Sequence, residues 1–353
     1  MLQKKNNGAL PKILLSLLLG LLSMFYAEVF SGASQLWFLE LWGLLLTFPL
    51  YMFHSLFYLN CAFKWKRISL LHLYLWGCLF ALYEGPITKV LWYGYLDSEG
   101  AMFGINGILA IYEFLTLVFF WHPIFSFMLP VLITEIFIFS FTGSMESIEI
   151  SHLPMLRNSK GPKIILIFLT IWGSLNISAS TEFNPLIAPL CIGGSVALIL
   201  LVLLILNLIK QKDALNIRLL NFNYIGFFII IFYLIVLYVK TSLFIFPDRF
   251  GNWLGMIIYF LFILFFLFIL YITNSAEKYK KNDTEINKQI EKDFSDQLIN
   301  PKFIYLTWGL AIILSMIWFL IYFVGSLIYI GLFLSMPVIG IVLFIFFLIK
   351  FRN

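Results

Sequence analysis

Long apolar runs, each near the length of one helical membrane crossing, follow one another along almost the whole chain. A helix needs about 20 apolar residues to span a bilayer core. The runs cover residues 12–31, 36–60, 70–95, 106–121, 123–142, 164–181, 186–209, 222–246, 252–275, 303–325 and 328–349. They lack the alternation of barrel strands, and lipid offers no partner for backbone groups, so all are predicted to be helical.

The composition excludes an ordinary soluble domain. Of 353 residues, 62% are hydrophobic and 12% are charged, whereas soluble domains carry about 25% charged residues. The net charge of +5 comes from basic residues beside the apolar runs, which indicates topology and no nucleic-acid partner. The three cysteines show no CxxC spacing, so neither a disulfide framework nor a thiolate metal site is predicted.

The basic residues predict the orientation of the chain. Basic clusters mark the cytoplasmic ends of spans, and here they lie at residues 4–12, 64–67, 210–218, 276–302 and 350–352. Both termini are therefore predicted to be cytoplasmic, in a cell membrane, which requires an even number of crossings. The loop 143–163 is also basic, so residues 70–142 must cross an even number of times, yet they contain three apolar segments.

One of these three segments is therefore predicted to be broken or re-entrant. Proline removes a helical hydrogen bond and glycine weakens the preceding turn, so Glu84-Gly85-Pro86 is one candidate break. The short run 106–121, which ends at Trp121-His122-Pro123, is another. An ordinary kinked span, with the 143–163 loop on the other side, is the alternative. The predicted fold is an all-α polytopic membrane bundle with about 10 transmembrane helices plus one broken segment near 70–121.

Ionisable residues within the apolar runs are concentrated before residue 143. A carboxylate at membrane depth costs about 2.5–3.5 kcal/mol even on lenient scales, so its retention suggests a polar cavity or a partner. We therefore divide the chain into a charged N-terminal membrane half, 1–142, a loop, 143–163, and an apolar C-terminal half, 164–353. The C-terminal half includes an amphipathic cytoplasmic insert at 276–302.

Four residues are candidate ligands for a substrate or an ion. Glu84 and Lys89 lie on different faces of a continuous helix, and a break at Gly85-Pro86 is expected to bring them together. Glu113 and Glu135 lie within apolar segments and are candidate proton carriers or cation ligands. For all four, a purely structural ion pair or hydrogen bond remains the alternative.

Two further pairs carry weaker signals. Glu28 and Glu40 flank the first hairpin turn and form a candidate acid and base pair near the outer boundary, unless each simply reaches interfacial water. His54 and His72 have the chemistry of metal or haem ligands, but hydrogen-bonded core histidines are favoured. No metal or cofactor is predicted, since no nucleotide-binding, zinc-protease or nucleophile-elbow motif is present.

Three functions follow as alternatives. The first is a permease or transport-related protein that uses membrane-embedded carboxylates for a cation or a proton. The second is an intramembrane enzyme acting on a lipid or lipid-linked substrate near the outer surface, with Glu28 and Glu40 as catalytic residues. The third is a membrane assembly or scaffold subunit. The expected partners are membrane lipids and a small solute or ion.

Overall fold

The computed structural model describes residues 9–95, 100–209, 215–245, 250–273 and 298–350. Within these residues, nine helices are long and apolar enough to cross a membrane, and a tenth apolar helix is shorter. In chain order they are α1 (Ala9–Val29), α2 (Gly43–Lys64), the short α3 (Leu70–Glu84), α4 (Ile111–Thr142), α5 (Lys160–Ser180), α6 (Ile187–Leu208), α7 (Tyr224–Ile245), α8 (Trp253–Ile272), α9 (Pro301–Leu320) and α10 (Tyr322–Lys350). The chain is a polytopic helical membrane protein, as the apolar runs predict.

Shorter elements connect these helices. They are the helical turns Trp37–Leu39, Val90–Tyr93, Met145–Ser147, Ile150–His152, Leu153–Leu156 and Ile217–Leu220, and the antiparallel strands β1 (Gly104–Ile105) and β2 (Leu109–Ala110). Four stretches within the long helices are π-helical: Phe25–Val29, Gly43–Thr47, Leu117–Met128 and Lys240–Ile245. Such stretches are rare and are frequent at functional sites.

The segments expected at 106–121 and 123–142 are in fact one helix, α4. The separation placed at Pro123 is wrong because Pro123 lies inside the π-helical stretch, where the chain stays helical. A proline is tolerated within a membrane helix when local π adjustments and neighbouring groups re-satisfy the freed backbone carbonyls. The run 106–121 therefore does not form a span of its own. Its first residues belong to the β hairpin, and the rest, from Ile111, are the start of α4.

The broken segment lies at 70–95. Helix α3 tightens into a 3₁₀ turn at Leu82–Glu84 and ends there. The chain continues through Gly85 and Pro86, and Lys89 adopts a left-handed conformation with φ of 66° before the short turn Val90–Tyr93. The break predicted at Glu84-Gly85-Pro86 is present, and α3 is shorter than the nine candidate spans.

The chain folds into two compact units that are discontinuous in sequence. The first unit comprises Met1–Met52, Leu129–Phe222 and Tyr279–Tyr329. Two of its tryptophans donate to hydroxyl groups of other helices: Trp308 to Tyr26 at 2.7 Å, and Trp318 to Ser174 at 3.1 Å. Tryptophan combines a large apolar surface with one N–H donor, so these bonds fix α9 against α1 and α5 within the unit.

The second unit comprises Phe53–Met128, Asn223–Lys278 and Ile330–Asn353. Within it, α3 packs closely against the π-helical stretch of α4. A side chain at Gly77 would begin 2.5 Å from the Cα atom of Pro123, so only glycine permits this approach. The Tyr74 hydroxyl donates to the Phe119 carbonyl at 2.6 Å, which satisfies a backbone acceptor in the π-helical stretch.

Large apolar side chains cover the exposed faces of several helices. Phe228 of α7 and both Phe260 and Phe268 of α8 each expose about 60% or more of their surface. A water-soluble protein rarely exposes contiguous apolar surface of this kind, whereas a lipid-facing helix does so by necessity. These faces agree with the assignment of α7 and α8 as membrane spans.

The predicted division into membrane halves at residues 142 and 164 stays a prediction. The two compact units are each built from three stretches of the chain, and these stretches alternate along the sequence. The predicted amphipathic insert at 276–302 lies outside the described residues except for its last part. There the Ile299 N–H donates to the Leu156 carbonyl at 2.9 Å, just before α9 begins.

Candidate functional site

A buried pair of ionisable side chains, Glu84 and His122, lies at the end of α3 in the second unit. The His122 Nε2 atom lies 3.1 Å from Glu84 Oε1, and the exposed fraction is 2% for the His122 side chain and 10% for that of Glu84. The Thr88 hydroxyl donates to the other oxygen of the same carboxylate. Both oxygens of Glu84 are therefore bonded, and one of them is bonded to a group that can itself gain a proton.

The histidine extends this chain of hydrogen bonds to a serine. His122 Nδ1 lies 2.6 Å from Ser126 Oγ, and Ser126 is fully buried. With the proton on Nε2, His122 donates to Glu84 and its Nδ1 accepts from the Ser126 hydroxyl. The arrangement is a continuous path of four protonatable or hydroxyl groups, in the order Thr88, Glu84, His122, Ser126.

Aromatic rings enclose the pair and connect it to a second histidine. The Phe80 ring lies between the imidazoles of His54 and His122, at centroid distances of 5.2 Å and 5.9 Å. The Tyr83 ring also contacts both imidazoles, at 5.4 Å and 5.2 Å. His54 Nε2 lies 2.9 Å from the Tyr238 hydroxyl. The second unit therefore gathers two imidazoles, one carboxylate and several hydroxyls within one aromatic enclosure.

The local sequence explains why this site forms where it does. Gly85 and Pro86 end α3 directly after Glu84, so the carboxylate lies beside irregular backbone. His122 and Ser126 are four residues apart within the π-helical stretch that also contains Pro123. Non-helical backbone at membrane depth is tolerated only where protein or water covers it, which is typical of transporter binding sites.

A second buried Glu–His pair, Glu135 and His152, lies in the first unit. His152 Nδ1 lies 2.8 Å from Glu135 Oε2, and both side chains are fully buried. The backbone N–H of Glu149 donates to Glu135 Oε1 at 3.1 Å. Here too both carboxylate oxygens are bonded, but one bond comes from a fixed backbone donor rather than from a hydroxyl.

Glu149, whose backbone N–H bonds to Glu135, also forms an ion pair with Arg218. Arg218 donates to both oxygens of Glu149, from Nε at 2.7 Å and from Nη2 at 3.2 Å. This bidentate geometry is the strong form of an arginine–carboxylate interaction. The hydrogen bond from Arg218 to Glu149 raises the pKa of the guanidinium above its ordinary value. Arg218, half of whose side chain is exposed, therefore stays charged and holds the Glu149 segment against Glu135.

The predicted pair of Glu84 with Lys89 does not form. Glu84 pairs with His122, and among the described residues no ion pair joins it to Lys89. The Lys89 Nζ atom instead lies 5.8 Å from the centroid of the Tyr93 ring. The left-handed conformation at Lys89 starts the short turn Val90–Tyr93, and this turn brings the lysine to its own aromatic neighbour.

Glu113 is buried at the start of α4, as a candidate ion ligand must be, with 1% of its surface exposed. Its Oε1 atom accepts from the Met102 backbone N–H at 3.5 Å. Its Oε2 atom has no hydrogen-bond partner among the described residues. Of the four predicted ligands, Glu84, Lys89 and Glu113 lie in the second unit and Glu135 lies in the first.

The structure keeps Glu28 and Glu40 in different surroundings. The half-buried Glu28 accepts from the Tyr51 hydroxyl at 2.5 Å and from the Ser34 hydroxyl at 2.5 Å. Glu40 is exposed beside the turn Trp37–Leu39. A catalytic carboxylate pair needs two groups with distinct environments, and that condition is met, although no hydrogen bond or ion pair within the described residues joins the two.

Both sequence-predicted histidines are hydrogen-bonded, as the favoured interpretation holds. His54 bonds to Tyr238, and His72 bonds through Nε2 to the Thr273 hydroxyl at 2.9 Å. His72 Nδ1 accepts from the Ser69 backbone N–H at 3.2 Å, where α3 begins. Within the part of the chain that the structure describes, no group of three or more His, Cys, Asp or Glu residues has the geometry to hold a metal ion.

The most informative residues are ones that sequence reasoning did not select. His122 directly precedes Pro123, where the sequence predicts the end of an apolar segment. His152 lies in the loop between α4 and α5. The available signal was that the chain has only four histidines, and all four are buried. A buried histidine needs a polar partner, so each one indicated a nearby carboxylate or hydroxyl.

Comparisons with known proteins give the family but no activity. A model described as an uncharacterised membrane protein family matches residues 17–352. An uncharacterised protein of Archaeoglobus fulgidus is 38% identical over 176 residues, which are 48% of this chain and 52% of that relative. The matched region thus spans about half the length of the curated relative. No solved structure matches.

Proposed function

The chain belongs to this uncharacterised membrane protein family, and we propose that it is a permease whose transport is coupled to protons at the Glu84–His122 pair. The observation that carries the proposal is the chain of hydrogen bonds from Thr88 through Glu84 and His122 to Ser126. It contains two groups that can titrate, the Glu84 carboxylate and the His122 imidazole.

Proton binding at this pair changes its net charge. With Glu84 ionised and His122 neutral the pair carries one negative charge, and one added proton makes it neutral overall. Since a charge in a low-dielectric site is expensive, the two protonation states favour different packing around the break after α3. A carboxylate and an imidazole at membrane depth are the groups from which proton relays in transporters are built.

A flux experiment tests the coupling. Purified protein is reconstituted in liposomes that contain a pH-sensitive dye, and mixtures of amino acids, organic acids, sugars and inorganic salts are added outside. We expect at least one class of solute to drive proton movement, and we expect Glu84→Gln and His122→Asn to slow it by about tenfold or more. Glu182→Gln is the matched control, since Glu182 is an exposed carboxylate in the loop after α5.

A second arm needs no solute. Infrared difference spectra between pH 5 and pH 8 report the protonation of buried carboxylates and imidazoles. We expect the wild-type spectrum to contain bands that disappear in Glu84→Gln or in His122→Asn. Identical difference spectra in the wild type and in both variants, together with no solute-dependent proton flux, would reject the proposal.

A second candidate function rests on one observation, the order hydroxyl, imidazole, carboxylate in Ser126, His122 and Glu84. This is the order used for nucleophilic catalysis. In an acyl transfer, Ser126 Oγ would attack the carbonyl carbon of a lipid ester while its proton moves to His122 Nδ1. The ester C–O bond would then break, leaving the acyl group on Ser126, and His122 would give the proton to the departing alcohol. The full burial of Ser126 leaves it no access to substrate in this conformation, which favours transport. Labelling of Ser126 by a fluorophosphonate, lost in Ser126→Ala, would favour the enzyme instead.

A further inference from the structure

Two buried oxygen atoms without hydrogen-bond partners lie on one face at the start of α4. They are Glu113 Oε2 and Thr116 Oγ1, and each residue exposes 1% of its surface. Residues three apart on an α-helix are neighbours, with about 5–6 Å between their Cβ atoms, and both lie in the α-helical part Ile111–Thr116. Burying unpartnered polar atoms is costly, and in native proteins each such atom calls for an explanation.

Irregular backbone brings a main-chain carbonyl to the same carboxylate. Gly94 has a φ of 83°, and the point where its side chain would begin lies 2.8 Å from the Gly100 carbonyl oxygen and 2.9 Å from Glu113 Oε1. A side chain at position 94 would collide with both oxygens, so this close approach requires glycine. The Gly100 carbonyl therefore lies near the Glu113 carboxylate, which shares one face of α4 with the Thr116 hydroxyl.

The charge of this cluster selects the class of ligand. Glu113 forms no ion pair among the described residues, and it contributes one formal negative charge when ionised. Calcium sites use several carboxylates, and the described residues hold no group of three acidic or histidine ligands. Carboxylate, hydroxyl and unwound-backbone carbonyl oxygens are the ligands that coordinate sodium in transporters with broken helices.

We propose that Glu113, Thr116 and the Gly100 carbonyl bind one monovalent alkali cation. The cation supplies the partner that Glu113 Oε2 and Thr116 Oγ1 lack, and it neutralises the carboxylate in place. The site is separate from the Glu84–His122 pair and requires no transport activity, so its test is an equilibrium binding measurement that succeeds or fails independently of proton coupling.

The experiment measures binding by the full chain in detergent. Thermal unfolding is followed at constant ionic strength in sodium, potassium or choline chloride, since a ligand that binds only the folded state raises its stability. We expect sodium or potassium, but not choline, to raise the unfolding temperature. Equilibrium binding of radioactive sodium to the same sample, in competition with potassium, is expected to saturate at one cation per chain.

Matched variants locate the site. Glu113→Gln removes the charge and Thr116→Val removes the hydroxyl, and we expect each to weaken cation affinity by about tenfold or more, a loss of about 1.4 kcal/mol. Thr134→Val is the control, because the Thr134 hydroxyl of the same helix already donates to the Pro130 carbonyl at 2.8 Å. It is expected to keep wild-type affinity.

The wild type alone is sufficient to overturn the proposal, whether or not a variant folds. Equal unfolding temperatures in sodium, potassium and choline, with no saturable sodium binding, mean that water fills the space. Saturable binding that survives in both Glu113→Gln and Thr116→Val places the cation elsewhere and equally refutes the site.

Discussion

The two buried Glu–His pairs have the same chemistry but different surroundings. In Glu84–His122, the remaining bonds of the pair go to the hydroxyls of Thr88 and Ser126. In Glu135–His152, the carboxylate also accepts from the backbone N–H of Glu149. A hydroxyl can donate or accept and so adapts to a change of protonation, whereas a backbone N–H can only donate.

The pairs also differ in their relation to permanent charge. Glu149, which supplies the backbone donor to Glu135, is held through both carboxylate oxygens by Arg218. The Glu84–His122 pair is bonded instead to the hydroxyls of Thr88 and Ser126. A proton-responsive site needs bonds that can be exchanged, and a structural site needs bonds that persist. We therefore propose a functional role for the first pair and a structural role for the second.

The largest expected effect is on stability, at the second pair. His152→Leu leaves the fully buried Glu135 without its imidazole partner, and removing one member of a buried pair typically costs about 3–5 kcal/mol. Chemical unfolding in mixed micelles measures this loss. The double variant Glu135→Leu with His152→Leu is expected to recover part of it, since no buried charge is then left unpaired. A single variant as stable as the wild type would contradict the structural assignment.

The next effect concerns transport, at the first pair. Glu84→Gln removes a hydrogen bond to a charged group, worth about 1.5–3 kcal/mol, or roughly a tenfold to hundredfold loss of rate. Solute-driven proton flux in liposomes measures it, and the unfolding free energy of the same variant is expected to change less than that of His152→Leu. The comparison between the pairs fails if Glu84→Gln transports normally but unfolds readily.

A smaller effect separates the two candidate functions of the first pair. Ser126→Ala removes one neutral hydrogen bond to His122, worth about 1 kcal/mol, so flux is expected to fall by about fivefold. In a permease, Ser126 only assists His122, and measurable flux remains. If Ser126 is instead a nucleophile, lipid hydrolysis is lost completely, and assays of both activities on one preparation distinguish these results.

The smallest expected effect is on stability, at the partly exposed ion pair between Arg218 and Glu149. Arg218→Met removes the bidentate ion pair with Glu149, and half-exposed pairs contribute about 1 kcal/mol or less. Chemical unfolding in mixed micelles is expected to show this small loss of stability. At high salt the loss is expected to be smaller still. A loss as large as that of His152→Leu would contradict this ranking, because the half-exposed ion pair would then contribute as much to stability as the buried Glu135–His152 pair.

The sequence predicted the break in α3 and the burial of several carboxylates, because both follow from local rules. Glycine followed by proline destabilises the interior of a helix, and a carboxylate in an apolar run must be covered. The partner of each carboxylate did not follow. Lys89 was expected beside Glu84 because it is close in sequence, whereas the actual partner, His122, is 38 residues away. Similarly, the segment end expected at Pro123 was wrong because a π-helical stretch accommodates the proline.

The sequence by itself determined that this chain is a helical membrane protein, because about 20 apolar residues in succession have few stable alternatives in lipid. It also determined that ionisable residues within the apolar runs concentrate before residue 143. Only the tertiary structure decided which groups meet: Glu84 with His122, Glu135 with His152, and Glu113 with the backbone N–H of Met102. The reason is that hydropathy depends on each residue separately, whereas pairing depends on how helices distant in sequence pack against one another.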